Sequence, residues 1–214
     1  MESHQPNPSI LKIILIRHAE SEENIRFAEL RRHFSLKKKK KKGFPKMSFW
    51  KALGVFNHKY RNCNLTSNGE TVAGYVYQHI TKNPFNLIID QIWHSPLKRT
   101  HQTLSKIFPN KIDTFIQKPF LHEKRPFEFL IPVSFNQRVK QFRHSLNDLD
   151  LSINCIVVGG HGIFFKKFLG KHYHELKNVE VVLCEYNRDN GDIQSVCNLI
   201  DPIELMVESS LPEL

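Results

Sequence analysis

Residues 11–24 have the sequence LKIILIRHAESEEN, a largely apolar run that stops abruptly at charged side chains. Residues 11–16 are rich in β-branched isoleucine, which predicts a strand buried on both faces of a sheet. Residues 21–32 are polar and compatible with a helix. The stretch therefore predicts a strand, a short connection and a helix in succession, with Arg17 and His18 at the carboxyl end of the strand.

The same alternation continues along the chain. Further strands are predicted at residues 87–93, 112–116, 153–158, 179–186 and 193–200, with a turn at residues 189–192 before the last. Helices are predicted from residue 67 (capped by Ser67 with Glu70, or by Thr66), after Pro96, over residues 134–149 and from Ile163. Strands alternating with helices predict an α/β fold: a single three-layer domain with a largely parallel central sheet flanked by helices.

The length and composition fit one globular domain over residues 1–214. Hydrophobic residues make up 40% of the chain and can form a core, and no apolar stretch approaches the ~20 residues of a membrane span. Of the four cysteines, none lies in a C-x-x-C pair and the last three lie in apolar runs, so we expect buried, reduced thiols in a cytoplasmic protein. They are Cys63, Cys155, Cys184 and Cys197.

The formal charge of +10 is concentrated in one region. Residues 1–60 contain 14 Lys or Arg against 5 Asp or Glu, and no basic residue follows Arg188. We expect a basic loop insertion at about residues 33–60 and an acidic C-terminal tail from about residue 201. Six consecutive lysines, from Lys37 to Lys42, repel one another and predict a solvated loop. Contact of this run with a polyanion, and a nuclear location, remain alternatives.

Chemically reactive side chains follow three of the predicted strands. Arg17 and His18 follow the first strand, and His94 and Ser95 follow the second. His161 comes after a later strand and two glycines. Because ligands bind beyond the carboxyl ends of the strands in such sheets, we expect these side chains to converge on one site.

Their chemistry fits phosphoryl transfer. Neutral imidazole is a nucleophile near pH 7, so His18 could attack phosphorus. Arginine binds two phosphate oxygens through a planar fork, so Arg17 and Arg99 would supply two forks. His161, if protonated, would add a third positive donor, and Asn24 and nearby backbone amides would add neutral ones.

Four segments carry motifs, in the order 17–24 (RHAESEEN), 65–69 (LTSNG), 95–103 (SPLKRTHQT) and 157–162 (VVGGHG). They resemble the R-H-G-E-[ST]-x-x-N, L-[ST]-x-x-G, S-x-L-x-R-[AT]-x-[EQ]-T and strand-H-G segments of the histidine phosphatase superfamily, the relatives of phosphoglycerate mutase. Leu121-His122-Glu123 is a looser match to the L-x-E that carries the proton donor of that family. Arg138 matches a position that is often arginine.

The resemblance implies a phosphoglycerate mutase-like fold and a phosphatase that hydrolyses a small phosphorylated substrate through a phosphohistidine. It implies no metal and no other cofactor. The implied catalytic residues are His18, Glu123 and His161. The implied phosphate-binding residues are Arg17, Asn24, Arg99, His161 and Gly162.

Two departures from the family pattern bear on function. Ala19 replaces the usual glycine and adds one methyl group near the phosphate. The segment that follows Glu123, Lys-Arg-Pro-Phe, is not typical of the glycolytic mutases and disfavours a phosphomutase. A phosphomutase and a catalytically silent protein that binds phosphorylated ligands remain the alternatives, and Glu128 is the rival proton donor. The pair His172 and His174 is expected at the surface and not at a metal.

Overall fold

The computed structural model describes residues 9–39, 62–125, 128 and 131–210. Its strands are β1 (Ile10–Arg17), β2 (Gln91–His94), β3 (Phe115–Gln117), β4 (Cys155–Gly160), β5 (Val181–Asn187) and β6 (Ile193–Ile200). Its α-helices are α1 (Glu22–Lys39), α2 (Ser67–Lys82), α3 (Lys98–Ile107), α4 (Val133–Asn147), α5 (Gly162–Leu169) and α6 (Pro202–Ser210). Short 3-10 helices lie at Pro109–Thr114 and Pro119–Leu121.

One six-stranded sheet forms the centre, in the order β3-β2-β4-β1-β5-β6. The first four strands in this order are parallel, whereas β5 pairs antiparallel with both β1 and β6. Helices cover both faces, which gives the three layers expected from the sequence. The predicted α/β fold with a largely parallel sheet is confirmed.

The alternation of side chains along β1 explains why both faces of the sheet are buried. Leu11, Ile13 and Leu15 pack in the cluster that includes Phe142 of α4. Ile14 and Ile16 point the other way, into a cluster formed with α2 and α3. A strand that supplies both cores has to be apolar on both faces, as its sequence indicates.

The predicted helix at residues 134–149 is confirmed with slightly different bounds, Val133–Asn147. Its four apolar positions at helical spacing are all buried, and they are Phe135, Val139, Phe142 and Leu146. Among the two alternative caps of α2, the structure uses Thr66, whose hydroxyl accepts a hydrogen bond from the Gly69 amide at 2.9 Å.

Two predicted strands are shorter than expected. Residues 112–114 belong to a 3-10 helix that Pro109 begins, and only Phe115–Gln117 form the edge strand. The second strand begins at Gln91 and not at residue 87. Asn86 has a left-handed φ of 52°, which is incompatible with an extended strand, and Ile88 is 85% exposed. The apolar residues before Gln91 have the sequence pattern of a strand but do not belong to the sheet.

The prediction of a solvated loop at the lysine run is wrong for its first half. Helix α1 continues through Lys37 to Lys39. Lysine is a good helix former, which favours a helical backbone over these residues. Lys40 to Lys42 and the rest of the expected insertion, residues 40–61, lie outside the described residues. In the expected acidic tail, residues 202–210 form α6, whose Leu205 is buried.

Of the three cysteines in apolar runs, Cys155 and Cys184 are buried as expected, and burial raises the pKa of Cys155 to about 11 and of Cys184 to about 12. Cys197 was expected to be buried and is exposed, because β6 is the edge strand of the sheet. Cys63 is buried as well. Within the described part of the chain, no helix is long and apolar enough to cross a bilayer.

Candidate active site

The sheet register brings three strand ends to one edge. Arg17 at the end of β1 pairs with Gly160 at the end of β4, and His94 at the end of β2 pairs with Gly159. The residues that follow these ends, His18, Ser95 and His161, therefore leave the sheet side by side. The rings of His18 and His161 are 5.1 Å apart. The expected convergence of the strand ends is present.

His18 is buried and held in one tautomer. Its Nδ1 lies 2.7 Å from the carbonyl oxygen of Ala19, and its Nε2 lies 3.3 Å from the Nε of Arg99. A carbonyl only accepts and a guanidinium only donates, so Nδ1 carries the proton and Nε2 carries the lone pair. Burial and the charge of Arg99 hold the pKa of His18 well below its usual value. The ring is a neutral imidazole with its nucleophilic nitrogen toward Arg99.

Arg99 is the central cation of the site. It lies in the first turn of α3, directly after the strand-end segment, and its side chain is 1% exposed. Its Nη2 contacts the carboxylates of Glu23, at 2.9 Å, and of Glu123. Thr103 links this helix to the loop after His18, because its hydroxyl accepts from the Ala19 amide and donates to the Arg99 carbonyl.

Arg17 extends from the same edge and is tied to the segment between α5 and β5. Its Nη1 donates to the Leu176 carbonyl and lies 3.2 Å from the Glu175 carboxylate. Burial lowers the pKa of Arg17, although Glu175 and Glu123 partly offset that effect. Its Nε is buried and has no hydrogen-bond partner among the described residues. That donor remains for an anion.

His161 is fully buried and occupies the N-cap position of α5, although its side chain makes no capping hydrogen bond. Its Nε2 lies 2.9 Å from the Ser95 hydroxyl, whereas its Nδ1 has no hydrogen-bond partner among the described residues. Burial and Arg99 hold the pKa of His161 well below its usual value. A protonated His161, which the sequence suggests as a third cation, is disfavoured in the free protein by this lowered pKa. Within the described part of the chain, Nδ1 is the second buried polar atom without a hydrogen-bond partner at this edge.

The two rival acids occupy different environments. Glu123 lies at the site, with Oε2 on Arg99 and 3.8 Å from Nδ1 of His161. Glu128 is 1% exposed and is bound by Arg138, by Ser134 and by the Arg125 amide. Burial raises the pKa of Glu128, but these hydrogen bonds outweigh it and hold the pKa below its usual value. Arg138, the position that the family resemblance singled out, holds Glu128 and also donates to the carbonyls of residues 120 and 122.

Asn24 and Gly162 lie near the same edge. The Asn24 side-chain oxygen accepts from the Ser21 amide at 3.0 Å and lies 3.4 Å from the Asn178 amide nitrogen. Gly162 begins α5, and a Cβ there would lie 2.9 Å from Nη1 of Arg17 and 2.8 Å from Oε1 of Glu175. The glycine is therefore required for the close approach of these two charged groups.

The LTSNG segment, residues 65–69, packs against the backbone that follows His18. The Thr66 hydroxyl donates a hydrogen bond to the carboxylate of Glu20 at 2.7 Å. The same hydroxyl caps α2 by accepting a hydrogen bond from the Gly69 amide. A Cβ at Gly69 would lie 2.1 Å from the Glu20 carbonyl oxygen. This contact explains why a glycine stands three residues after the cap: the first turn of α2 packs directly on the backbone that follows His18.

Sequence reasoning missed four residues that contact the site residues or their backbone. Glu175 and Asn178 come from residues 170–180, which match no motif; the Asn178 amide donates to the His18 carbonyl at 2.8 Å. Val179 in the same segment has φ of 56°, which is strained for a β-branched residue, and its amide donates to the Arg17 carbonyl. Glu23 lies inside the first motif at a position that the pattern leaves open.

One set of three side chains at the site could coordinate a cation. Ligand atoms of His18, Glu123 and His161 lie within 4.8 Å of one another. The pair His172 and His174 is exposed, and His174 pairs with the buried Glu180 at 2.7 Å. The prediction that this pair lies at the surface is confirmed.

Comparison with known proteins supports the fold. No protein-family model and no curated protein sequence matches the chain. The solved structures do: phosphoserine phosphatase from Entamoeba histolytica is 22% identical, with a TM-score of 0.54 over 90% of this chain and 99% of that one. Phosphoglycerate mutase from Bacillus anthracis is 12% identical, with a TM-score of 0.59 over 94% and 98%.

Alpha-ribazole phosphatase from Shigella flexneri is 15% identical, with a TM-score of 0.55 over 83% of this chain and 91% of that one. These three proteins are members of the histidine phosphatase superfamily, the group that the sequence motifs resemble. The chain has the phosphoglycerate mutase-like α/β fold that these phosphatases and mutases share.

Proposed function

We propose that the protein is a phosphatase that hydrolyses a phosphomonoester through a phosphohistidine on His18. The observation that carries the proposal is the pairing of a neutral, tautomer-fixed imidazole with a buried arginine 3.3 Å from its nucleophilic nitrogen. Nε of Arg17 and Nδ1 of His161 lie at the same edge, and neither atom has a hydrogen-bond partner among the residues that the structure describes. A dianionic phosphate would satisfy all of these donors at once.

In the first step, Nε2 of His18 attacks phosphorus and the bond to the ester oxygen breaks. Glu123, in its protonated form, gives its proton to that oxygen, so the product leaves as an alcohol. Arg17 and Arg99 bind the transferring oxygens. His161 donates from Nδ1 while Ser95 holds its other nitrogen, and Asn24 and the Gly162 amide complete the binding set.

In the second step, water attacks the phosphohistidine. The Glu123 carboxylate removes the proton of that water, the bond between nitrogen and phosphorus breaks, and inorganic phosphate forms. His18 returns to its starting tautomer, because Nδ1 keeps its proton throughout and donates it as a hydrogen bond to the Ala19 carbonyl. The two arginines supply positive charge, so we propose a reaction that needs no metal and no other cofactor.

The experiment is hydrolysis of p-nitrophenyl phosphate and of a panel of phosphorylated metabolites, with and without a chelator. We expect turnover that persists with the chelator and disappears in His18→Ala. The exposed His172 provides a matched control, since His172→Ala should retain full turnover. Activity in His18→Ala would refute the nucleophile, and loss with the chelator would place a metal on His18, Glu123 and His161. Binding of phosphate without any turnover would favour the silent alternative.

A further inference from the structure

A turn at residues 177–180 leads from the segment after α5 into β5. It is closed by a hydrogen bond from the Glu180 amide to the Lys177 carbonyl at 3.1 Å. Val179, the third residue of the turn, has φ of 56°. Turns with a positive φ at this position normally have glycine or asparagine there, so the valine is strained. Strain of this kind persists only where surrounding contacts hold the backbone in place.

The Glu180 side chain supplies such contacts from inside the protein. The side chain is fully buried, and its Oε2 accepts a hydrogen bond from the Lys177 amide at 2.6 Å. Its Oε1 lies 2.7 Å from Nε2 of His174 and 3.4 Å from the side-chain nitrogen of Asn198. A buried carboxylate is costly without hydrogen-bond donors, so Glu180 stabilises the turn conformation that offers them. No sequence motif includes Glu180, and neither step of the proposed reaction uses it.

The same turn contacts both residues at the end of β1. The Asn178 side chain donates to the His18 carbonyl at 2.8 Å, and the Val179 amide donates to the Arg17 carbonyl at 3.1 Å. Leu176, directly before the turn, accepts a hydrogen bond from Nη1 of Arg17. The turn therefore fixes the backbone at this point and also the direction of the Arg17 guanidinium. The buried Nε of that guanidinium has no hydrogen-bond partner in the described part of the chain.

We infer that Glu180 is a positioning residue for phosphate binding, which acts through the turn at residues 177–180 on Arg17. The inference rests on the proposed function and adds to it a residue that touches neither phosphate nor the reacting atoms. An arginine side chain loses rotamer freedom when it binds a ligand, and a side chain that is already ordered avoids this loss. Ordering one such side chain in advance changes affinity by about three- to tenfold.

The experiment measures the binding of inorganic phosphate by titration calorimetry, which requires no turnover. Glu180→Leu fills a similar space without an acceptor, and the dissociation constant for phosphate should rise about three- to tenfold. Glu180→Gln retains one oxygen for the Lys177 amide and should leave the dissociation constant unchanged. Glu185→Gln is the matched control on the same strand. Its carboxylate accepts from the Ser195 hydroxyl at 2.9 Å, away from the turn, so affinity should again be unchanged.

A double-variant cycle shows whether the effect passes through Arg17. In Arg17→Met the guanidinium is absent, so the addition of Glu180→Leu should not weaken phosphate binding further. Additive losses would show that Glu180 acts on the protein as a whole and would overturn the inference. If Glu180→Leu does not fold, Glu180→Asp replaces it. The aspartate retains the charge but is one methylene shorter, and the same rise in the dissociation constant is expected.

Two further results would overturn the inference: an unchanged dissociation constant in the variant that lacks the acceptor, or a rise of the same size in Glu180→Gln. Failure of the proposed function alone has a different signature. Phosphate binding would then still depend on Glu180 and Arg17, but no His18-dependent hydrolysis of p-nitrophenyl phosphate would be found. An unmodified protein that does not bind phosphate would overturn the inference together with the function.

Discussion

Nε of Arg99 faces Nε2 of His18 at 3.3 Å, so a permanent cation lies against the lone pair of the imidazole. Two consequences follow for the same pair. The cation disfavours protonation of His18, which keeps the imidazole neutral. The same guanidinium lies beside the position that a phosphate attacked at that lone pair would occupy under the proposed mechanism. Under the proposed mechanism, Arg99 would therefore set both the protonation state of the nucleophile and the position of the phosphate.

The buried histidines should make folding stability depend on pH. The pKa values of His18 and His161 are lowered, first by burial and then by Arg99. The unfolded chain then binds more protons, so the stability they contribute is complete above the unfolded pKa of about 6.5 and is lost as pH falls below it. We expect a loss of about 2 kcal/mol in the free energy of unfolding between pH 6.5 and 5.5.

Urea unfolding at several pH values measures this loss. The double variant with His18→Asn and His161→Gln should lose most of this dependence, and the remainder should come from His94, whose pKa is also lowered by burial. His144, whose side chain is 78% exposed, supplies the control, and His144→Gln should retain the full dependence. Stability of the unmodified protein that does not change between pH 6.5 and 5.5 would mean that the two rings are not neutral in the folded state.

Two glycines of α2 should respond in opposite directions to alanine. At Gly69 the new Cβ would lie 2.1 Å from the Glu20 carbonyl oxygen, whereas at Gly74 nothing lies within 4 Å. We expect Gly69→Ala to lower the free energy of unfolding by about 1–3 kcal/mol and to reduce activity, because the clash displaces the backbone after His18. Gly74→Ala should raise it by about 0.5–1 kcal/mol. Thermal or urea unfolding separates the two, and equal effects would show that Gly69 does not pack as described.

Glu123→Gln should distinguish between leaving groups. An alkoxide needs a proton to depart, whereas nitrophenolate does not, and a positioned acid contributes on the order of 10²–10⁴ in rate where the proton is needed. The variant should therefore lose the first step with an alkyl phosphate and largely keep it with p-nitrophenyl phosphate. Single-turnover rates isolate that step. Equal losses with both substrates would assign Glu123 a structural role.

Glu128→Gln is the companion variant and should act on stability. The carboxylate is buried and bound by Arg138, so the substitution should cost about 1–3 kcal/mol. Because hydrogen bonds to Arg138 hold the pKa of Glu128 below its unfolded value, the stability it adds is present above the unfolded pKa of about 4.3 and disappears as pH falls through the folded pKa. Urea unfolding at pH 7 and pH 3.5 tests this. A dependence on the leaving group in this variant would instead make Glu128 the acid.

The sequence predicts the parts of this structure that depend on local pattern and strand direction. The apolar run before His18 specifies a strand buried on both faces, and parallel strands bring His161 to the same edge. Contacts between distant segments cannot be predicted in this way. Glu175 reaches Arg17 only because residues 170–180 return to the sheet edge, and no local pattern encodes that path. Cys197 differs for a similar reason, since its exposure depends on β6 being the edge strand.

The most direct test of the central claim is to trap the phosphoenzyme. Glu123→Gln, quenched within its first turnover of labelled p-nitrophenyl phosphate, should carry about one phosphoryl group per chain on His18. The bond should be stable in alkali and labile in acid, as expected of a phosphoramidate, and His18→Ala should carry none. A label that survives acid, or one that remains in His18→Ala, would contradict the assignment of His18 as the nucleophile.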